Sequence, residues 1–261
     1  MKERHVLFSV LSPRPICLSE SQMAETDEHS PTLVLHYLEN SRSHRILWLL
    51  EELGVPYTLK VYKRTAVGLA PPELHKVHPL GKAPVLTDGP LMLAETAFIV
   101  EYLISKYGKE KFRISDESSQ AWRDNVFYTH YAEGSVQPPI IRRYVNNKFV
   151  NHVPIFLRPV ARVLFNKFDV ATIAPDLEKH GKLIESHLEV VESKGGWFAG
   201  TGEDKPTSAD FMMSFTLETF LKVAPEFVGP KTKEYVKRLE ARPAYQRATE
   251  KAGGYLFLYK D

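Results

Sequence analysis

Residues 78–103 read HPLGKAPVLTDGPLMLAETAFIVEYL, and the fold class turns on how this stretch divides. Ala83 to Thr87 and Leu91 to Leu93 are short apolar and β-branched runs on either side of Asp88-Gly89-Pro90, a pattern that reverses the chain between antiparallel strands. From Glu95 to Tyr107 (ETAFIVEYLISKY) the apolar residues recur at helical spacing, so the stretch predicts β-β-α. Upstream, TLVLHY from Thr32 reads as a strand. It is followed by Glu39-Asn40-Ser41 and by RSHRILWLLEELG, where Ile46, Leu47, Leu49, Leu50 and Leu53 keep helical spacing. Asn40 or Ser41 can cap the first turn of that helix, and Gly54 can end the last. Val55-Pro56 leads to a second strand, Tyr57 to Lys63, which makes a β-α-β unit with a crossover helix. A polar, proline-containing connection over 64–78 joins the two units into a small mixed-sheet domain over 31–111.

Beyond Lys111 the pattern changes. Segments 118–135, 155–168, 174–194, 207–224, 230–241 and 243–252 carry helical periodicity, broken at Pro138-Pro139, Pro154, Gly195-Gly196, Pro225 and Pro243. A second, all-α domain over 116–261 is expected. Within it Thr207 precedes Asp210 by three residues at the head of an apolar run, which predicts a capping box: a folding signal that carries no chemistry of its own.

Composition narrows the classes. With 261 residues, 43% hydrophobic and 25% charged, the chain is neither disordered nor fibrous, and no apolar run approaches the roughly 20 residues that span a bilayer. A net charge of +2, from 34 basic and 32 acidic residues, argues against nucleic-acid binding. The single Cys17 can make neither an internal disulfide nor a cysteine-rich metal site, which fits a reducing compartment. His36, His44, His75 and His78 lack the spacing of a metal set, so no metal is expected. Residues 1–30 have a basic start, a short apolar stretch and an acidic tail; they read as a disordered extension, with Met23 as an alternative start.

The strings ENSRSHRILWLLEELG, APPELHKVHPLGKAPVL, LAETAFIVEYL and YAEGSVQPP, in this order, resemble the soluble glutathione transferases over the whole chain after residue 31. They are most similar to a fungal subgroup that includes a yeast enzyme at the endoplasmic reticulum, with bacterial relatives. The resemblance implies a thioredoxin-like N-terminal domain (α/β) with a cis-proline before its third strand, an acidic-hydroxyl pair at its third helix, and an all-helical C-terminal domain. It also implies a homodimer, a cytoplasmic location or a peripheral one at the endoplasmic reticulum, and roles in detoxification and stress response. Glutathione is then the co-substrate, with no metal or further cofactor.

Glutathione carries two carboxylates, one ammonium and a thiol, and the resemblance assigns residues to each. A cis Ala83-Pro84 bond turns the Ala83 backbone outward to pair with the cysteinyl unit as an added strand would. Glu95 is expected to hold the γ-glutamyl ammonium, the Thr96 hydroxyl and the helix start the α-carboxylate, and Lys82 the glycyl carboxylate. Each of these residues alone has a plainer reading: a turn proline, a helix start, a solvated charge.

A free thiol of pKa about 8.5 is only a few per cent ionised at neutral pH, so the site must stabilise the thiolate. A hydroxyl at the start of the first helix does this through its hydrogen bond and the helix dipole. Counted back from Arg45, Ser41 matches the serine of theta-type enzymes. Asn40 falls where beta-type enzymes have cysteine and tau-type enzymes serine, and Tyr37 lies near the tyrosine of alpha- and mu-type enzymes. Ser41 ranks first and Tyr37 and Asn40 follow, while plain helix capping is the alternative role of Ser41.

The electrophile is expected between the domains, with Phe127, Tyr128, Tyr131 and Gln137 as lining residues; Trp48 and Trp122 are expected to pack. Between Glu133 and Asp169 there is no acid, but Arg142, Arg143, Lys148, Arg158, Arg162 and Lys167 alternate with apolar residues. Such a segment attracts anionic conjugates or a membrane surface; a solvated face beside a dimer contact is the plainer reading. The expected activity is conjugation of glutathione to a hydrophobic electrophile, with hydroperoxide reduction as a second activity. The rivals are a non-catalytic ligand-binding or scaffold protein of the same fold, and a carbon-sulfur bond-forming transferase of secondary metabolism.

Overall fold

Every strand of the sheet is positioned by β1 (Leu33–Leu38), whose Leu33, Leu35, Tyr37 and Leu38 are buried. The computed structural model describes residues 32–202 and 204–254; the 1–30 extension, with Cys17 and Met23, lies outside the described residues. β1 pairs in parallel with β2 (Thr58–Tyr62) and antiparallel with β3 (Val85–Asp88), which pairs antiparallel with β4 (Leu91–Leu93). The order is β2-β1-β3-β4. The crossover from β1 to β2 is α1 (Ser43–Leu53), closed by Gly54 at φ 66°, whose N–H reaches Leu50 O at 3.0 Å. That left-handed turn is where glycine's freedom is needed. The connection after β2 holds a short 3-10 turn, Pro72–Lys76, and the Ala83–Pro84 bond entering β3 is cis. After β4, α2 (Thr96–Tyr107) completes a thioredoxin-like unit; the helix expected to be third is second among the described α-helices.

The remainder is helical: α3 (Gln120–Tyr131), α4 (Gln137–His152), α5 (Arg158–Phe168), α6 (Ala174–Glu192), α7 (Ser208–Val223), α8 (Pro230–Glu240) and α9 (Pro243–Lys251). Pro138-Pro139 does not end a helical region, as expected from sequence, but lies in the first turn of α4. The π turn directly before them, in which Gln137 N–H reaches back to Ala132 O, interrupts the regular i→i−4 ladder at the place where the prolines enter. A π turn, Ala132–Val136, joins α3 to α4, and a second one, Asp169–Ile173, joins α5 to α6.

α7 is the central post, buried from Ser208 to Leu217 and again at Thr219 and Phe220. Trp48 of α1 packs against Phe211 of α7 with ring centroids 4.4 Å apart, so the two halves share one core. The capping box forms at the head of α7: Thr207 N donates to Asp210 Oδ2 at 2.7 Å. Asp210 also accepts from Phe198 N at 2.9 Å and from Tyr235 Oη at 2.8 Å, although burial pushes its carboxyl pKa up. Asp210→Ala leaves four buried donors, Thr207 N and Oγ1, Phe198 N and Tyr235 Oη, without their acceptor, and urea unfolding is expected to show a loss on the order of 3 kcal/mol.

Candidate active site

Strand polarity gathers the predicted residues at one edge of the sheet. β1 and β4 both end there and β3 begins there: the last β1–β3 pair is His36 with Val85, and Leu86 pairs with Leu93. One step beyond those pairs the register brings Ala83-Pro84 beside the end of β1 and close to Glu95. α1 starts just after β1 and α2 just after β4, so two helix N-termini, each worth about half a positive charge, open onto the same edge. Glu95 precedes α2 in a left-handed conformation, φ 71° and ψ 117°, which a non-glycine residue adopts at a cost of roughly 1–3 kcal/mol. Its side chain is exposed, Thr96 behind it is buried at the first position of α2, and Lys82 is exposed. Neither Glu95 nor Lys82 makes an ion pair among the described residues.

Ser41 is buried in the turn between β1 and α1. Its Oγ accepts from Ser43 N at 3.1 Å, and its hydrogen has two acceptors within reach, Leu38 O at 2.7 Å and Ser43 Oγ at 2.8 Å. One hydrogen serves one of them, so the hydroxyl is a rotor with neutral partners. Asn40 does not cap α1; the residue before the helix is Arg42. Asn40 takes φ 49°, and its carbonyl accepts from Arg64 Nη2 at 2.9 Å. The same guanidinium donates to Glu39 O and Gly68 O, so Arg64 fixes the loop that carries Ser41. Tyr37 is 1% exposed, its hydroxyl lies 3.3 Å from His44 Nδ1, and burial followed by the charges of Glu218 and Glu39 pushes its pKa well up. Burial pushes His44 down to about 3, so this pair is neutral core rather than an acid-base couple.

In the sequence Arg45 serves only to number Ser41, Glu133 only bounds an acid-free stretch, and Arg42 carries no signal of its own. Arg45 on α1 is completely buried, forms an ion pair with Glu133 in the first π turn, donates to Thr216 Oγ1 of α7 at 2.7 Å, and lies over the Phe215 ring at 5.2 Å. Arg42, beside Ser41, reaches the other oxygen of Glu133 at 2.9 Å. Burial raises the Glu133 pKa, but the two guanidinium groups outweigh it and hold the carboxyl below its usual range. A lone acid at the start of an acid-free stretch was the available signal.

The expected electrophile residues do not come together as one open lining. Tyr128 is buried against His187 and Phe198, and Tyr131 is buried with its hydroxyl on His180 Nδ1. Gln137 is 1% exposed, and neither of its amide atoms has a hydrogen-bond partner among the described residues. Phe127 alone is open, 49% exposed, stacked on Tyr131. The π turn adds a residue to the helical count and rotates α4, which turns Gln137 inward. A cavity of about 480 Å³ is lined by Tyr37, Asn40, Val61, Lys63, Lys251 and Gly254 among others. Among the described residues no three His, Cys, Asp or Glu side chains converge on a metal position.

A thioredoxin-like sheet with a cis-proline edge, followed by a helical region built on a capped central helix, defines the glutathione-transferase fold. Residues 30–105 match the family described as glutathione S-transferase, N-terminal domain. The chain is 35% identical to Glutathione S-transferase 3 of Schizosaccharomyces pombe, over 88% of this chain and 92% of that protein. It is 31% identical to Glutathione S-transferase 1 of Saccharomyces cerevisiae, over 85% of this chain and 96% of that one. Among solved structures, a glutathione S-transferase from Actinobacillus pleuropneumoniae superposes with a TM-score of 0.66 at 33% identity, over 85% of this chain and 93% of that chain. The chain belongs to the glutathione S-transferase family.

Glu133→Gln leaves the buried Arg45 guanidinium without its counter-charge, and a loss of about 2–4 kcal/mol in denaturant unfolding is expected. Because the folded pKa of Glu133 lies below the ordinary 4.5, its contribution is complete above that pH and fades as pH falls through the lower folded value. Acid titrations of stability should therefore lose part of their low-pH slope in Glu133→Gln.

Proposed function

We propose that this chain conjugates glutathione, bound as its thiolate at the sheet edge, to an apolar electrophile. The observation that carries the reading is the convergence of the cis Ala83-Pro84 edge, the Glu95-Thr96 start of α2 and the Ser41 hydroxyl at one end of the sheet. The Ala83 amide and carbonyl pair with the cysteinyl unit as an added strand. The γ-glutamyl ammonium meets Glu95, its carboxylate meets Thr96 and the α2 N-terminus, and the glycyl carboxylate meets Lys82.

When the thiol loses its proton to solvent, the Ser41 hydrogen turns from Leu38 O to the sulfur. It exchanges a neutral acceptor, worth about 1 kcal/mol, for an anion worth about 1.5–3 kcal/mol. Arg42 and the α1 N-terminus add positive potential at the same place. The thiolate then forms the new carbon-sulfur bond while the leaving group departs with its electron pair. With a hydroperoxide it attacks the terminal oxygen, the O–O bond breaks and the alkoxide leaves as alcohol on taking a proton; a second glutathione thiolate then displaces hydroxide from the sulfenic acid, which gives glutathione disulfide and, once the hydroxide takes a proton, water. Tyr37 is a poor donor for this step, because its hydroxyl is enclosed and already paired with His44. We assign the electrophile to the cavity beside Asn40, against Tyr37 and Val61, with the chain acting as a two-fold dimer in the manner usual for the family.

The direct test is the thiolate absorbance of bound glutathione as a function of pH. The native protein should lower the thiol pKa by about 2 units and Ser41→Ala should restore most of it, with kcat falling by at least about tenfold. An unchanged pKa in the native protein would favour the non-catalytic binder, and a lowered pKa retained in Ser41→Ala would move the role to Asn40. Val61→Trp, on an exposed strand position, should raise KM for bulky electrophiles several-fold and leave KM for glutathione unchanged.

A further inference from the structure

The hairpin formed by α4 and α5 presents an apolar face that no other part of the described residues covers. α5 has no buried residue over its whole length. Val160, Leu164 and Phe168 follow at four-residue intervals along one side of it, 59%, 63% and 46% exposed, and the tip between the helices carries Ile155 and Phe156, each 76% exposed. On α4, Val145 and Phe149 continue the face at 52% and 55% exposure, and Phe149 packs against Phe165 across the hairpin with centroids 5.7 Å apart. Scattered exposed apolar residues are ordinary, but a continuous run of this size on one projecting hairpin marks a contact surface.

The charge pattern selects the partner. From Gly134 to Phe168 the chain has no Asp or Glu. Arg142 lies one turn from Val145 on α4 and Lys167 lies within the apolar side of α5; both are exposed and make no ion pair among the described residues, while Arg162 points from the opposite side of α5. A second copy docked face to face about a two-fold axis would bring these cations against their own images with no acid on the segment to offset them. An anionic lipid surface meets both halves of the pattern. It takes the Phe and Ile side chains at the tip and the apolar side of α5 into the acyl boundary, and it attracts the flanking guanidinium and ammonium groups to headgroups. Among the described residues no helix is long and apolar enough to cross a membrane, so the contact is one of lying on the surface. We infer that the α4–α5 hairpin is a docking surface for anionic lipid bilayers. The sheet-edge site is built from other elements, so this attachment stands or falls independently of the conjugation reading.

The test is flotation of the full-length protein with vesicles of phosphatidylcholine alone or with 30% phosphatidylserine, at about 0.1 M and 1 M salt. The expected result is binding to the anionic vesicles that weakens in high salt and is near background on phosphatidylcholine. Arg142→Glu with Lys167→Glu should lower partitioning on the order of 25-fold, and Phe156→Ser with Leu164→Ser should abolish it. Both pairs are exposed, so glutathione binding and the unfolding transition should match the native protein, and a change in either would be reported by those controls. Absence of salt-sensitive binding, binding unaffected by both pairs, or a shift from dimer to monomer in sedimentation when the apolar pair is replaced would each overturn the inference. The last outcome would assign the face to a second copy.

Discussion

The Arg45–Glu133 pair is the constraint around which the two halves are arranged. A guanidinium with no solvent exposure on α1 must have a counter-charge nearby, because an unpaired buried cation costs several kcal/mol. The carboxylate comes from a π turn in the helical half, and Thr216 of α7 supplies a further acceptor. The pair thus ties α1 to the turn between α3 and α4, one residue into the π turn. Because the same carboxylate also holds Arg42, the helical half reaches the residue next to Ser41 and sets the charge at the entrance to the sheet-edge site.

From that anchoring the chemistry follows as a problem of where hydrogen atoms and partial charges point. The loop that carries Ser41 is tied from below by Arg64 and closed above by Ser43, so its backbone is fixed while its hydroxyl hydrogen remains able to choose among acceptors. This is the property a thiolate donor needs: pre-positioned, and held by partners weaker than the anion. The same bonds describe a turn that starts a helix, so the role of a turn residue and the proposed role of thiolate donor fall on one side chain. At Glu95 the backbone holds a conformation that only the ends of β4 and α2 impose, and such strain at a site edge accords with a ligand-facing role.

Much of this was legible in the sequence, for identifiable reasons. The four strands and the helices α1, α2 and α6 to α9 follow from alternation, helical spacing and the glycine and proline punctuation that surrounds them. The cis bond, Glu95-Thr96 and Ser41 came from motif order, and the register then places them at one edge. α4 was hidden because Pro138-Pro139 reads as a breaker unless the chain is already starting a new helix there. The Arg42–Glu133–Arg45 cluster was hidden because its partners are 88 residues apart in the case of Arg45, and periodicity carries no information about such pairings. The inward position of Gln137 was hidden for a related reason: it follows the π turn, and a regular 3.6-residue count does not register the residue that turn adds.

The account rests on glutathione lying along the cis-proline edge with its γ-glutamyl end at α2. Isotope-edited NMR on the protein with carbon-13-labelled glutathione tests this most directly. The account predicts nuclear Overhauser contacts from the cysteinyl protons to the Ala83 methyl group and from the γ-glutamyl protons to the Thr96 methyl group. Contacts confined to the cavity wall at Val61 and Lys251, with none to Ala83 or Thr96, would contradict it.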